Sequence, residues 1–346
     1  MFKNHQVVCC TAAGRRRYMQ YIFPYIVTDP IVDRYDIWVN TVNMEDIEFF
    51  RQMAARYPKI RLVMQPDGVV DGIKSINAFY KFCCEPETIY MKIDDDVIWM
   101  EQGIIEKMAD FRLSHPEAFL VSPMVINNVM CSYVWQVQGK LSYGRYATAA
   151  ANHRHLWKRG YFAANLHQWF LKQMMANADF FRSLYVVDTP WAMNRLSINF
   201  VVWCGEQMAA INGIVPGDDE EYLSCIRPTE LGKANWLRGD ALISHFSFGP
   251  QRDVLDKANI LEQYDTLLAN EFSKNDAQRE CFAFERELIA DIARRAAEIR
   301  KQPCPYRKPR KSTWQKVRAE FKSTQRSIRN YIDAHSKPKF TVKPNI

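Results

Sequence analysis

Apolar residues in the first third of the chain fall into short blocks, each followed by a stretch with helical spacing. Gln6-Val7-Val8-Cys9-Cys10-Thr11 predicts a first strand, Ala12-Ala13-Gly14 a turn, and residues 17–26 an apolar-rich helix. A second strand over residues 35–40 leads to a helix around 45–57, and Ile60-Arg61-Leu62-Val63-Met64 gives a third strand that ends at Pro66-Asp67-Gly68. After another helical stretch near 73–84 comes Thr88-Ile89-Tyr90-Met91-Lys92-Ile93, a β-rich run that stops on three acids. Strands alternating with helices predict an α/β fold whose largely parallel sheet is covered on both faces. Ligands of such sheets bind beyond the carboxyl ends of the strands, where residues 11–17, 41–44, 66–68 and 94–96 fall.

Further on, residues 118–127 read as a strand, and 128–215 are rich in Trp, Tyr, His and Asn without clear periodicity. Phe282, Ile289, Ile292, Ala296 and Ile299 line one face of a helix over 279–299, which Pro303, Pro305 and Pro309 then break. Beyond them Trp314, Val317, Phe321, Ile328 and Tyr331 recur at helical steps among Lys316, Arg318, Lys322, Arg326 and Arg329.

Composition sharpens this picture at two points. The chain's 346 residues, 48% hydrophobic and 13% aromatic, support a sizeable core. The net charge of +7 belongs to the tail: residues 300–346 hold 14 Lys/Arg against 2 Asp/Glu, leaving the rest of the chain net acidic. Such a basic amphipathic segment suits an anionic membrane surface or, alternatively, RNA; the membrane is preferred and no nucleic acid is expected. No apolar run reaches the roughly 18–20 residues of a spanning helix, and residues 1–6 are too short and polar for a secretory signal. The expected location is the cytoplasm, in peripheral contact with the inner face of the membrane through 313–332. The nine cysteines lack paired metal spacings, and the vicinal pairs Cys9-Cys10 and Cys83-Cys84 read as reduced, small apolar residues.

Asp94-Asp95-Asp96 is the strongest chemical signal. Alternation at a strand exit turns Asp94 and Asp96 to one side, where they suit a shared cation or a cation and a ribose, and Asp95 to the other, into supporting hydrogen bonds. The competing reading is a plain polar turn, but three carboxylates closing the most apolar strand repel one another without a cation. Arg15, Arg16 and Arg17 at a helix start are electrostatically unfavourable unless an anion lies there, which favours phosphate binding over a solvated helix end. Residues 218–221 are four acids that serve either as a helix cap or as a source of a general base. His245, between apolar neighbours, reads by itself as a core histidine.

Taken in order, three stretches resemble one family over roughly residues 5–250. Tyr90-Met91-Lys92-Ile93-Asp94-Asp95-Asp96-Val97 resembles the DxD segment of GT-A glycosyltransferases. Gly217-Asp218-Asp219-Glu220-Glu221-Tyr222-Leu223 resembles the acidic motif that carries the base of inverting members, and Ser244-His245-Phe246 their late metal-binding histidine. The resemblance implies a GT-A, Rossmann-like sheet flanked by helices, with C-terminal helices. It also implies a catalytic domain over 1–260, divided into a nucleotide-sugar half (1–126) and an acceptor half (127–260), then a helical extension (261–300) and the basic tail (301–346).

By that resemblance Asp94, Asp96 and His245 hold Mn²⁺ or Mg²⁺, and Thr11, Ala13, Arg15, Arg17, Asn43, Asp67, Lys74, Asp94 and Asp95 line the site of a UDP-sugar donor. Alignment on Leu223 places the base on Glu220; Asp219 stays a rival because this chain has Asp-Glu where the pattern more often has Glu-Asp. The reaction implied is inverting transfer to a glycan or lipid-linked acceptor. His153, His155, Trp157, Trp169 and Trp191 are candidates for the acceptor side, with simple packing as the alternative. A sugar-nucleotide nucleotidylyltransferase is the rival enzyme, since Ala12-Ala13-Gly14 with Arg17 faintly resembles its opening, but three arginines stand where a second glycine is needed. A two-metal phosphatase or nuclease wants more Asp and His at strand ends than the chain offers.

Overall fold

The first strand, β1 (Gln6–Ala13), runs two residues further than its hydrophobic pattern suggests, because Ala12 and Ala13 are small enough to continue between neighbouring strands. The structure, a computed structural model, describes residues 1–309 apart from 144–146, 152 and 192–193, together with 321, 324, 325, 328, 343 and 344; the side chains of Ile73, Arg154, His155, Lys343 and Pro344 are not described. After β1 come β2 (Arg34–Val39), β3 (Ile60–Met64), β4 (Thr88–Ile93), β5 (Val97–Met100), β6 (Val121–Ile126), the two-residue β7 (Leu141–Ser142), β8 (Thr189–Trp191), β9 (Phe200–Cys204) and β10 (Asn235–His245).

The main sheet has the order β3-β2-β1-β4-β9-β6-β10-β5, with β8 added on β10. Its first four strands are parallel, as is the β6–β10 pair. The strands β9, β5 and β8 run antiparallel to their neighbours. The protein is thus a Rossmann-like α/β fold in which the parallel half leads into a mixed half. In the parallel half, the carboxyl ends of β1 to β4 share one edge, and Gly14, Asn40, Gln65 and Asp94 follow them there.

The acid buried within β2 is matched. Asp36, fully buried in β2, accepts from Arg61 at 2.7 and 2.6 Å and from Arg34 at 3.0 Å. Trp38 stacks on Phe79 with centroids 5.3 Å apart; burying one such side chain is worth about 1.5–3 kcal/mol. The predicted helix over 17–26 is two short ones, Arg16–Met19 and Phe23–Val27, the second begun afresh with Pro24 in its first turn. Over 73–84 the chain forms a 3₁₀ helix, Gly72–Phe82. The helix expected over 45–57 is Met44–Arg56, begun by Asn43, whose side chain accepts from the Glu45 amide at 3.0 Å.

The C-terminal helices Ile260–Phe272 and Asp276–Arg294 pack back on the body, so residues from Val7 to Tyr306 form one hydrophobic core. Past the helices the proline-rich segment does not leave the body at once. The Val70 amide donates to the Arg307 carbonyl at 2.9 Å, the Arg307 amide donates to the Gly68 carbonyl at 3.0 Å, and the Tyr306 hydroxyl accepts from the Gln65 amide at 3.0 Å. The tail proper, 313–332, lies outside the described residues except for Phe321, Thr324, Gln325 and Ile328, which are helical and exposed. Among the described residues no helix is long and apolar enough to cross a membrane.

Candidate functional site

β4 is buried along its whole length, and it carries Lys92 among its apolar residues, only 2% exposed. Alternation sets Lys92 and Asp94 on the same side, and Lys92 Nζ donates to Asp94 Oδ1 at 2.7 Å and to the Ile198 carbonyl at 3.4 Å. Burial alone works against the ammonium charge, but Asp94 and Asp219 beside it outweigh burial and keep Lys92 cationic. Asn199, next to β9, donates to Asp94 Oδ2 at 3.2 Å and is itself held by Asn128 at 3.0 Å.

After Asp94 the chain turns at once into β5, so strand alternation ends. Asp95 accepts from the Gly14 amide and from Arg15 Nε, both at 3.0 Å, and Asp96 Oδ2 lies 3.0 Å from Arg15. Asp96 Oδ1 lies 3.2 Å from His245 Nε2. This corrects the predicted arrangement: Asp95 and Asp96 share one arginine, and Asp94 is the acid that stands apart. For Asp96 burial would raise the carboxyl, but Arg15, then His245 and Arg252, outweigh it and hold the group well below the usual carboxylate range.

His245 ends β10, and the register with β5 shifts between Ser244 and His245; a bulge of this kind re-aims a side chain at a sheet edge. Behind it lies a residue the sequence pattern did not reveal, His167 on the helix Gly160–Ala176. His167 Nε2 donates to the Phe246 carbonyl at 3.0 Å, Nδ1 accepts from the Tyr264 hydroxyl at 2.9 Å, and Tyr264 shares a hydrogen bond with Ser244 at 2.7 Å. Burial pushes His167 down to about 3, so it is a neutral brace for the strand end.

Gly217, at φ +70°, turns the chain into the acidic motif, and Asp218 caps the short helix Asp219–Glu221 by accepting from the Glu221 amide at 3.2 Å. The remaining acids divide. Asp219 is buried, accepts from the Tyr80 hydroxyl at 2.9 Å and answers Lys92. Glu220 keeps a side chain 29% exposed, with Oε1 2.8 Å from Arg195 Nε. Burial raises Glu220 first; Arg195 pulls it down, while Asp218, Asp94 and Asp219 push it up, to about 7. Of the two rivals, Glu220 is therefore the accessible carboxylate and Asp219 an anchor beneath it. Arg195, which also holds Asp218 at 2.5 Å, has no sequence signal of its own in its irregular surroundings.

Two adjoining recesses open beyond β1 to β3. One, of about 730 Å³, is lined by Gly14, Arg15, Asn43, Asp46 and Lys308 among others; the second, of about 560 Å³, includes Asp67, Lys74 and Asn77, and Asp71 borders both. Asn43, Arg15, Asp67 and Lys74 thus all line these recesses. Thr11 and Ala13 do not: both are buried inside β1, and Thr11 shares a hydrogen bond with Tyr35 at 2.9 Å. Arg17 turns away to Asp256 at 2.7 Å. Lys308, at the start of the predicted tail, reaches the larger recess instead, because the segment around Tyr306 is bonded to the sheet edge.

Of the proposed acceptor aromatics, Trp157 faces Phe248 at 6.0 Å, and Phe248 rests on His245 at 4.8 Å. Trp169 packs on Phe180 and Trp191 on Tyr133, which is the packing alternative. His153 starts the short helix Arg154–Lys158.

Among the described residues no three His, Cys, Asp or Glu side chains gather closely enough to hold a metal by themselves. Asp96 and His245 nonetheless fit a divalent cation as two adjacent donors, an anionic oxygen and an imidazole nitrogen, both nearly out of solvent. His245 Nδ1 is buried without a hydrogen-bond partner, which leaves the ring one contact short. Asp94, engaged by Lys92 and Asn199, is not part of that pair.

No protein-family model and no curated protein matches the chain. Among solved structures, it is similar to the CMP:2-keto-3-deoxy-manno-octonic acid synthetase complexed with CTP, at 9% identity and a TM-score of 0.39, over 75% of this chain and 99% of that one.

Proposed function

We propose that the protein is a GT-A glycosyltransferase that moves a sugar from a nucleoside diphosphate donor, a UDP-sugar, to a hydroxyl of a glycan or lipid-linked acceptor, with inversion. The observation that carries the reading is Glu220: an accessible carboxylate whose proton affinity is raised to about 7, electrostatically coupled to Asp94 beside the acidic turn. A base of that strength is matched to removing a hydroxyl proton near neutral pH.

In this reading the nucleoside occupies the recess lined by Gly14, Asn43 and Asp71, and Arg15 and Lys308 face its phosphates. Asp96 and His245 would hold Mn²⁺ or Mg²⁺, which when bound supplies the positive charge that offsets the departing diphosphate. Glu220 accepts the acceptor's proton as its oxygen attacks the anomeric carbon and the bond from that carbon to the diphosphate breaks. Arg195 orients Glu220, and Asp219, fixed by Tyr80, sets the backbone from which Glu220 projects. The basic amphipathic segment 313–332 brings the enzyme to an anionic membrane surface, where lipid-linked acceptors reside.

The loop after β1 argues against nucleotidyl transfer, because a triphosphate cradle requires free backbone amides and the Gly14 amide is bonded to Asp95 at 3.0 Å. Incubation with a panel of nucleotide sugars, Mn²⁺ and oligosaccharide or lipid-linked acceptors is expected to release UDP. Release of pyrophosphate from UTP or CTP in the presence of a sugar phosphate, with no UDP from the sugar panel, would replace transfer of a sugar by transfer of a nucleotide.

A further inference from the structure

Both oxygens of Asp96 have partners, Oδ1 in His245 at 3.2 Å and Oδ2 in Arg15 at 3.0 Å. Arg15 bridges Asp96 and Asp95, which it meets through both Nε and Nη2. Its guanidinium lies 4.9 Å from the centre of the Tyr18 ring, and its side chain is one-third exposed where it borders the larger recess. The arginine therefore stands between the acid pair and the space assigned to phosphates, with room on its outer side.

We infer that Arg15 is an electrostatic latch on Asp96, holding the place of the cation until a nucleoside diphosphate draws the guanidinium away, so that metal binding is conditional on nucleotide. A divalent cation beside Asp96 and a guanidinium on the same carboxylate repel each other at short range. Arginine also matches phosphate oxygens in the two-pronged geometry it uses on carboxylates, so a diphosphate in the recess offers an equivalent partner. When the guanidinium turns outward, Asp96 Oδ2 is uncovered beside His245, and the metal gains phosphate oxygens at the same moment. By linkage, the nucleotide then tightens the metal by the same factor by which the metal tightens the nucleotide. The latch rests on the metal-and-nucleotide reading above, but it adds a property that reading does not require.

Mn²⁺ binding to the full chain, followed by the loss of its free paramagnetic signal with and without UDP, tests this without any turnover. Wild-type protein is expected to bind Mn²⁺ weakly alone and at least about tenfold more tightly with UDP; Arg15→Gln is expected to bind it about tenfold more tightly than wild type without UDP, and to gain less from UDP than wild type does, because only the phosphate-oxygen contribution remains. If Arg15→Gln alone binds no better while wild type still responds to UDP, the latch is overturned and the glycosyltransferase reading stands. If wild type takes up no Mn²⁺ even with UDP, the metal reading fails and the latch with it. Should Arg15→Gln not fold, Arg15→Lys decides, since an ammonium cannot bridge Asp95 and Asp96 in the same way: partial tightening without UDP supports the latch, and none overturns it.

Discussion

Replacing Glu220 by glutamine is expected to lower kcat by about 10²- to 10⁴-fold while leaving UDP binding within about twofold of wild type. The substitution keeps the size but removes the charge that pairs with Arg195 and the group proposed to take the proton. The pH profile adds a second readout. With the carboxyl raised to about 7, Glu220 is protonated and inactive below that pH, so wild-type kcat/KM should fall on the acid side of neutrality. Glu220→Gln should lose that acid limb along with its rate. Asp219→Asn, by contrast, removes a buried anchor of Tyr80 and Lys92 and is expected to show in stability as well as in turnover. A full rate in Glu220→Gln would remove that residue from catalysis.

The second large effect lies beneath the site. Lys92 is the buried cation against which Asp94 is held, and Asp219 lies close enough to share it. Lys92→Met keeps most of the aliphatic volume but leaves the carboxylates without their partner inside the fold. Breaking a buried ion pair in this way costs about 3–5 kcal/mol, measurable as a shift of the urea midpoint. The double variant Lys92→Met/Asp94→Asn should recover a large part of the loss, because the neutral amide no longer needs a counter-charge. A Lys92→Met protein as stable as wild type would show that Asp94 and Asp219 are balanced in another way.

Much of the architecture was legible in the sequence because it rests on periodicity. The run of apolar residues that predicts β4 ends where the strand ends, and the acids follow at the sheet edge as expected. The limit of β1 was missed for a physical reason: Ala12 and Ala13 suit a turn and the centre of a sheet equally, and only the neighbouring strands decide between them. The longer strand places Ala13 in the core, where Thr11, the last residue of the predicted strand, is buried as well. The arrangement of the three acids was likewise beyond strand alternation, because the chain leaves the strand at Asp94.

Lys92 had a readable signal, a lysine inside an otherwise apolar strand two residues before an acid on the same face. Arg195 and His167 had none, since each meets its partner from a segment distant in sequence. Glu220 and Asp219 could not be told apart from neighbouring positions alone; burial and the Tyr80 hydroxyl separate them. The prolines around Tyr306 mark the end of a helix in the sequence, but nothing there signals that the same segment bonds Gly68 and Val70.

Calorimetric titration of UDP into wild type, with and without Mn²⁺, and into Asp96→Ala tests the central claim most directly. The expected result is binding that requires Mn²⁺ in wild type and is lost in Asp96→Ala, whose cation would keep only the imidazole of His245. UDP binding of equal strength without Mn²⁺, or undiminished in Asp96→Ala, would contradict a metal-dependent donor site at the turn after β4.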